Sequence, residues 1–217
     1  MRLPLENELR AERQRLLRTL DALSDDLFDS GPTLCVGWSP RDILGHLLGV
    51  DRPLASYRPW LCLAAANDRQ VRRARGLSRR TIMAEAHEWA VNPAWSSRLF
   101  TLIALGDLSV HHRDIVRGVG AEQDMPSAVP SYILWEGAML SSRSNLRIFR
   151  YRLIPTDGHP PLGPPAHLRA PEVLGTREAL GMWLAGRDGV SGELHFTAAG
   201  PVPEKSGSHV TERGQEQ

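Results

Sequence analysis

Cysteine is nearly missing: Cys35 and Cys62 are the only two in 217 residues. No C-x-x-C spacing occurs, which argues against a thiolate zinc site. The two could pair, but a chain this long does not need a bridge, and the expectation is a reducing cytosol. Long apolar runs are also lacking. None approaches the ~20 residues of a spanning helix, so no membrane role is expected. The first residues, MRLPLENELRAERQRL, are charged throughout and have no apolar signal-peptide core, so we expect a cytoplasmic protein. Charge of one sign is lacking too. The net charge is +1, so no global field favours nucleic acid or an anionic membrane. There is no internal repeat, and nothing in the sequence speaks to oligomeric state.

What is present is the composition of a folded globular protein, 41% hydrophobic and 24% charged. The length allows one large domain, or a medium one with a small companion. Leu9, Leu16, Leu20, Leu23 and Leu27 recur at helical spacing, predicting a first helix from about Pro4 to Phe28 that ends at Ser30-Gly31-Pro32. Ser39-Pro40 is a helix start, with Asp42 completing a capping-box pattern. Ile43, Leu47, Val50 and Leu54 line its inner face, with His46 at the edge. A lone histidine there reads more often as a satisfied core residue than as a ligand. Residues 55–80 are ambiguous, with breaks at Pro53 or Pro59. The run RQVRRARGLSRR holds six arginines in twelve residues and reads as a solvated helix face. The sharper reading is a cationic rim for an acidic ligand.

A short helix is predicted over Thr81–Val91, and another from about Ser96 to Arg117. On the latter, Asp107, His111 and Asp114 fall in one narrow arc with Phe100, Ile103 and Val110. Two carboxylates and an imidazole are thus turned toward the apolar side, where burial without partners is costly. They satisfy one another in a hydrogen-bond network, or they hold a cation. The i, i+4 spacing of Asp107 and His111 suits a metal. His112 and Arg113 are expected to face solvent. A further helix is predicted from Ser127 to about Arg150, with Pro130 in its first turn and Ile133, Leu134, Met139, Leu140, Leu146 and Ile148 as core candidates. Six prolines between Pro155 and Pro171 mark a boundary. FRYRLIP and GELHFTAAG read as strands, and Thr176–Ala185 as a helix. We therefore expect a helical domain over 1–152, a small α+β domain over 153–202 and a disordered tail over 203–217.

The element GWSPRDILGH, containing Gly37, Trp38, Ser39, Asp42 and His46, precedes a carboxylate-x-x-x-His-x-x-Asp helix containing Asp107, His111 and Asp114. Together these resemble the DinB-like metalloenzymes, and more narrowly the mycothiol-dependent maleylpyruvate isomerase family of actinobacteria. Trp183 to Arg187 (WLAGR) is similar to that family's small C-terminal domain. The resemblance implies a mainly α fold, an N-terminal antiparallel four-helix bundle plus a small C-terminal α+β domain closing over the site. It implies a divalent metal, usually zinc, on His46, Asp107 and His111. It also implies a mycothiol-like thiol as cosubstrate, a small-molecule substrate and a catalytic role for Arg187. Asp107 departs from the pattern, because the family more often has glutamate. One methylene fewer requires the helix to approach closer or the metal to shift.

Three protein ligands and an open position would be a catalytic arrangement. The open position would hold water or the thiol; in the isomerase reading the thiolate would add to a conjugated cis double bond and then be eliminated to give the trans product. Arg187 would pair with a substrate carboxylate. Asp114 would receive the second ring N–H of a ligating histidine. Trp38 reads as an anchor where the loop enters the helix, and Cys35 as a buried small side chain. The expected function is a metal- and thiol-dependent isomerase or S-transferase acting on a small electrophile or dicarboxylate. A metal-dependent hydrolase and a non-enzymatic binding protein are the alternatives.

Overall fold

The computed structural model describes residues 3–51 and 63–197. The prolines at 53 and 59, Leu54, Cys62 and the tail from 203 lie outside the described residues. The chain is mainly helical, a four-helix bundle followed by a small α+β part. Helix α1, Glu6–Ala22, buries Leu9, Leu16 and Leu20. The single helix expected over 4–28 is in fact two. Ser24 caps a new helix, α2 (Asp25–Ser30), by accepting from the Leu27 amide. The guanidinium of Arg79 donates to the carbonyls of Leu20 and Leu23 at the end of α1, which offsets the orphan acceptors there. Phe28, fully buried, lies between that guanidinium and the one of Arg41, at 4.8 and 5.0 Å.

Helix α3, Pro40–Val50, starts as expected, with a complete Ser39/Asp42 capping box and proline in the first turn. Helices α4 (Leu63–Arg75) and α5 (Arg79–Val91, capped by Ser78) follow. Three of the six arginines in the run across their ends are held in ion pairs: Arg73 with Glu85, Arg75 with Asp42, and Arg79 with Asp25. Helix α6 (Trp95–Leu99) and helix α7 (Thr101–Gly118) replace the single helix expected from 96 to 117. The break falls at Phe100, whose φ of −110° and ψ of 45° are not helical. Helix α1 packs on α5 and α7, and α3 packs on α4, α5 and α7. Leu9, Leu16, Leu20, Ile43, Leu44, Ile82, Leu105, Leu108 and Ile115 form their common core.

Helix α8 (Val129–Ser141) has Pro130 in its first turn, and the short α9 (Arg147–Arg150) follows. Strand β1 (Arg152–Pro155) pairs in parallel with β2 (Glu172–Gly175), which pairs antiparallel with β3 (His195–Thr197). Helix α10, Arg177–Leu184, packs on α8. Ile133 and Leu134 of α8 join Leu153, Val173, Leu180 and Leu184 in a second apolar cluster. The contact between α8 and α10 depends on two glycines. A Cβ on Gly181 would stand 2.5 Å from the Ile133 carbonyl oxygen, and one on Gly137 would meet the Gly181 carbonyl oxygen. Gly181→Ala will therefore destabilise the fold by about 1–3 kcal/mol, seen as a lower urea midpoint at an unchanged m-value.

No helix among the described residues is long and apolar enough to cross a membrane.

Candidate metal centre

His46 comes from α3, and Asp107 and His111 from α7. The two helices pack directly, and one donor atom from each of the three residues lies within 4.8 Å of the other two. His46 Nε2 stands 3.4 Å from Asp107 Oδ2, and His111 Nε2 stands 3.6 Å from Asp107 Oδ1. Both histidines are buried, while the Asp107 side chain is 22% exposed. The cluster therefore opens on the carboxylate's side.

The far sides of the two rings decide what the cluster can hold. His46 Nδ1 lies 3.1 Å from Gln70 Oε1, and His111 Nδ1 lies 3.0 Å from Asp114 Oδ2. Each Nδ1 therefore carries its proton and donates it outward. In the neutral rings both Nε2 lone pairs then face a carboxylate. Three electron-rich atoms facing one another need protons or a cation between them. Tetrahedral bonds of ~2.1 Å would set ligand atoms about 3.4 Å apart, close to the separations found. The residues present fit a divalent cation. The shorter aspartate is accommodated because α3 and α7 already bring the imidazoles to its oxygens.

Electrostatics agree. Burial pushes the Asp107 carboxyl up, but the imidazoles of His46 and His111 and the Arg187 guanidinium outweigh it and hold the group down to about 2. Burial pulls His46 down, and Asp107, Gln70 and Asn67 more than reverse that, so its pKa is raised.

Asp114 is fully buried. Arg187 grips it with both arms of the fork, Nε to Oδ1 at 3.0 Å and Nη2 to Oδ2 at 2.7 Å, and gives Nη1 to the Ala185 carbonyl at 2.6 Å. The chain of contacts runs from Arg187 to Asp114 to His111. Three of the five guanidinium N–H groups are thus engaged within the protein. Only the second hydrogens on Nη1 and Nη2 remain for a substrate carboxylate. Trp38 lies over the pair, its ring 5.2 Å from that of His46 and stacked at 5.8 Å on that of His111. It is a wall of the centre as well as an anchor.

Two expectations fail. Phe100 and Ile103 are not turned inward; they are 58% and 43% exposed, on the same open side of the helix as the partly exposed Asp107. His112 is not solvated; it is 1% exposed. It bonds Glu12 at 2.6 Å and Thr19 at 2.8 Å, because α1 covers that side of α7. Arg113 likewise pairs with Glu178.

Three neighbours were missed. Gln70 was read only as part of an arginine run. Cys35 has no histidine near it in sequence, yet its Sγ lies within 4.8 Å of donor atoms on His111 and Asp114. Burial pushes its thiol up to about 11, against the pull of Arg187. Glu136 on α8 is buried, and its Oε2 has no hydrogen-bond partner within the described structure. Burial and then the charge of Asp107 push its carboxyl up to about 8. Its spacing from Val129 and Ile133 on one helical face was the signal available in the sequence.

Comparison with known proteins bears on this geometry. Residues 9–94 match the model of the mycothiol maleylpyruvate isomerase N-terminal domain. A crystal structure of the mycothiol-dependent maleylpyruvate isomerase has this fold, with a TM-score of 0.64 at 16% identity over 93% of this chain and 96% of that one. A histidine-to-alanine mutant of that enzyme gives a TM-score of 0.61 at the same identity and coverage. Comparison with curated proteins gives no match. Residues 9–94, which supply His46 and the wall formed by Trp38, are thus similar to the mycothiol maleylpyruvate isomerase N-terminal domain.

Proposed function

We propose that this protein is a metal- and small-thiol-dependent enzyme, an isomerase or S-transferase of the maleylpyruvate isomerase type with mycothiol as its thiol. The observation that carries the reading is the pair of imidazoles whose Nδ1 atoms are committed outward while both Nε2 atoms face one carboxylate. His46, Asp107 and His111 would hold the ion, with zinc the first choice for two imidazoles and a carboxylate. A divalent cation there, with a position left open, lowers the pKa of a thiol so that it is a thiolate near neutral pH. The fold neighbours, both mycothiol-dependent maleylpyruvate isomerase structures, support the thiol.

The protein's own groups do the rest. Gln70 and Asp114 fix the two ring orientations. Arg187 holds Asp114 and keeps two N–H groups for an incoming carboxylate. Trp38 covers the rings and excludes water from their inner side. In isomerisation the thiolate adds to one carbon of a cis double bond, the resulting single bond rotates, and elimination returns the thiol and the trans product. In transfer the new C–S bond is kept and the adjacent carbon, left as an enolate, takes a proton from solvent.

The test is elemental analysis of purified protein followed by turnover of a cis-enedioate or a small electrophile. We expect stoichiometric divalent metal, and turnover that needs both metal and mycothiol. Full activity of metal-free protein would overturn the reading. Ester or amide hydrolysis without added thiol would replace it with a hydrolase.

A further inference from the structure

The open side of the candidate centre continues along α7 as an apolar strip. Asp107 is the partly exposed member of the centre. Ile103 and Phe100 stand before it on the same side, about 6 and 10 Å back along the helix axis, and both are exposed. A single exposed apolar side chain is ordinary. Here two stand in line and lead to the carboxylate where a reacting molecule would enter. Gly106, three residues on from Ile103, brings no side chain into the strip. Glu136 of α8 packs against it instead, so that a Cβ on Gly106 would stand 2.8 Å from Glu136 Oε2.

The charges beside the strip are set against an anion. Asp107 and Glu136 are both acids, so α7 and α8 each bring to this side either no charge or a negative one. The charge of Arg187 reaches Asp107, but Asp114 already meets it through two hydrogen bonds. A dianion laid along α7 would leave water for an apolar surface beside acids, which is costly. An uncharged molecule with an apolar body gives up little hydration and gains from covering two side chains. The two N–H groups that Arg187 keeps suit one carbonyl oxygen, which has two lone pairs to offer and gathers negative charge when a thiolate adds to the conjugated double bond.

We propose that the electrophile taken by this centre is an uncharged α,β-unsaturated carbonyl compound with an apolar body, and that the body lies along Ile103 and Phe100. This rests on the thiol-dependent function proposed above and narrows its substrate from any small electrophile or dicarboxylate to this class. The bookkeeping of the reaction is that of a conjugate addition. A C–S bond forms at the β-carbon, the electron pair of the C=C bond moves to the carbonyl as an enolate, and the α-carbon takes a proton from solvent.

The test is turnover by the zinc-loaded full chain with mycothiol and a series of alkyl vinyl ketones, from methyl to pentyl, beside a cis-enedioate, each corrected for the uncatalysed reaction. The alkyl chain grows away from the double bond, so intrinsic reactivity changes little along the series. We expect kcat/KM to rise by about two- to fourfold per methylene. The rise will appear in KM, because the body is bound alike before and during the addition, and the enedioate will fall below the longest ketone. Ile103→Ser and Phe100→Ser will flatten the rise, with circular dichroism and melting to verify that both fold. Leu168→Ser, at an exposed apolar position of the α+β part, will keep it. A flat series in wild type, a rise that survives both serine variants, or an enedioate turned over better than every ketone overturns the proposal and leaves the thiol dependence standing. So does a concentration-dependent dimer that both variants dissolve while the series is flat, since the strip would then belong to a second copy. Binding of the saturated ketones without thiol, followed by the NMR shift of the Ile103 methyl, separates the remaining outcomes. Affinity that rises with chain length, with no mycothiol turnover of any member, keeps the apolar seat and overturns the thiol dependence. Neither binding nor turnover overturns both.

Discussion

If the proposed centre holds a divalent metal, His111→Ala will lose it. The substitution removes one of the three proposed donors, and it also leaves the buried Asp114 without the ring it holds. Removing an outer partner of a ligand costs ~10–100-fold in affinity, and removing the ligand itself will cost more than about a hundredfold. Competition with a chelator, read against elemental analysis, measures it. The neighbouring histidine is the control. His112→Ala will keep the metal, because His112 faces α1 and bonds Glu12 and Thr19. Equal metal loss in both variants would mean that the centre had been placed on the wrong side of the helix.

Arg187→Ala will produce the largest loss of stability. Asp114 is fully buried, and its charge is met by two donors from Arg187 and one from His111. Removing one partner of a buried pair leaves an uncompensated charge, at a cost of about 3–5 kcal/mol. For a chain of this size that is roughly a 6–20 °C fall in Tm. Arg187→Lys will recover only part of it, because an ammonium cannot reproduce the two parallel bonds of the fork. A melting temperature within about 2 °C of wild type, where 1 kcal/mol shifts Tm by ~2–4 °C, would show that Asp114 is satisfied in some other way. Calorimetry of the metal-free protein separates this effect from metal loss.

Most of the helices were legible because the signals were local. Ser39, Pro40 and Asp42 specify a helix start through groups within four residues of one another, and the capping box formed as read. The leucines of α1 mark its buried face in the same way. The breaks at Ser24 and Phe100 were less visible, since the apolar spacing runs on past both. Strand β2 was missed because its four residues carry no alternation long enough to stand out from the proline-rich segment before it.

The candidate centre divides along the same line. Asp107, His111 and Asp114 are neighbours on one helix, so their common face followed from 100° per residue. The arrival of His46 from another helix was supplied by resemblance, not by spacing. Gln70, Cys35 and Glu136 come from three further segments, and no periodicity in the chain relates them.

By itself, then, the sequence determined the capped start of α3 at Ser39, and which face of α7 carries acid and imidazole, because those are properties of residues a turn apart. Only the tertiary structure decided that His112 is buried while Phe100 is bare, that Arg187 grips Asp114 with two of its N–H groups, and that both Nε2 atoms point at one carboxylate. Each of those depends on which element covers a given face, and burial and pairing are set by the neighbour across the interface rather than by the chain's own pattern.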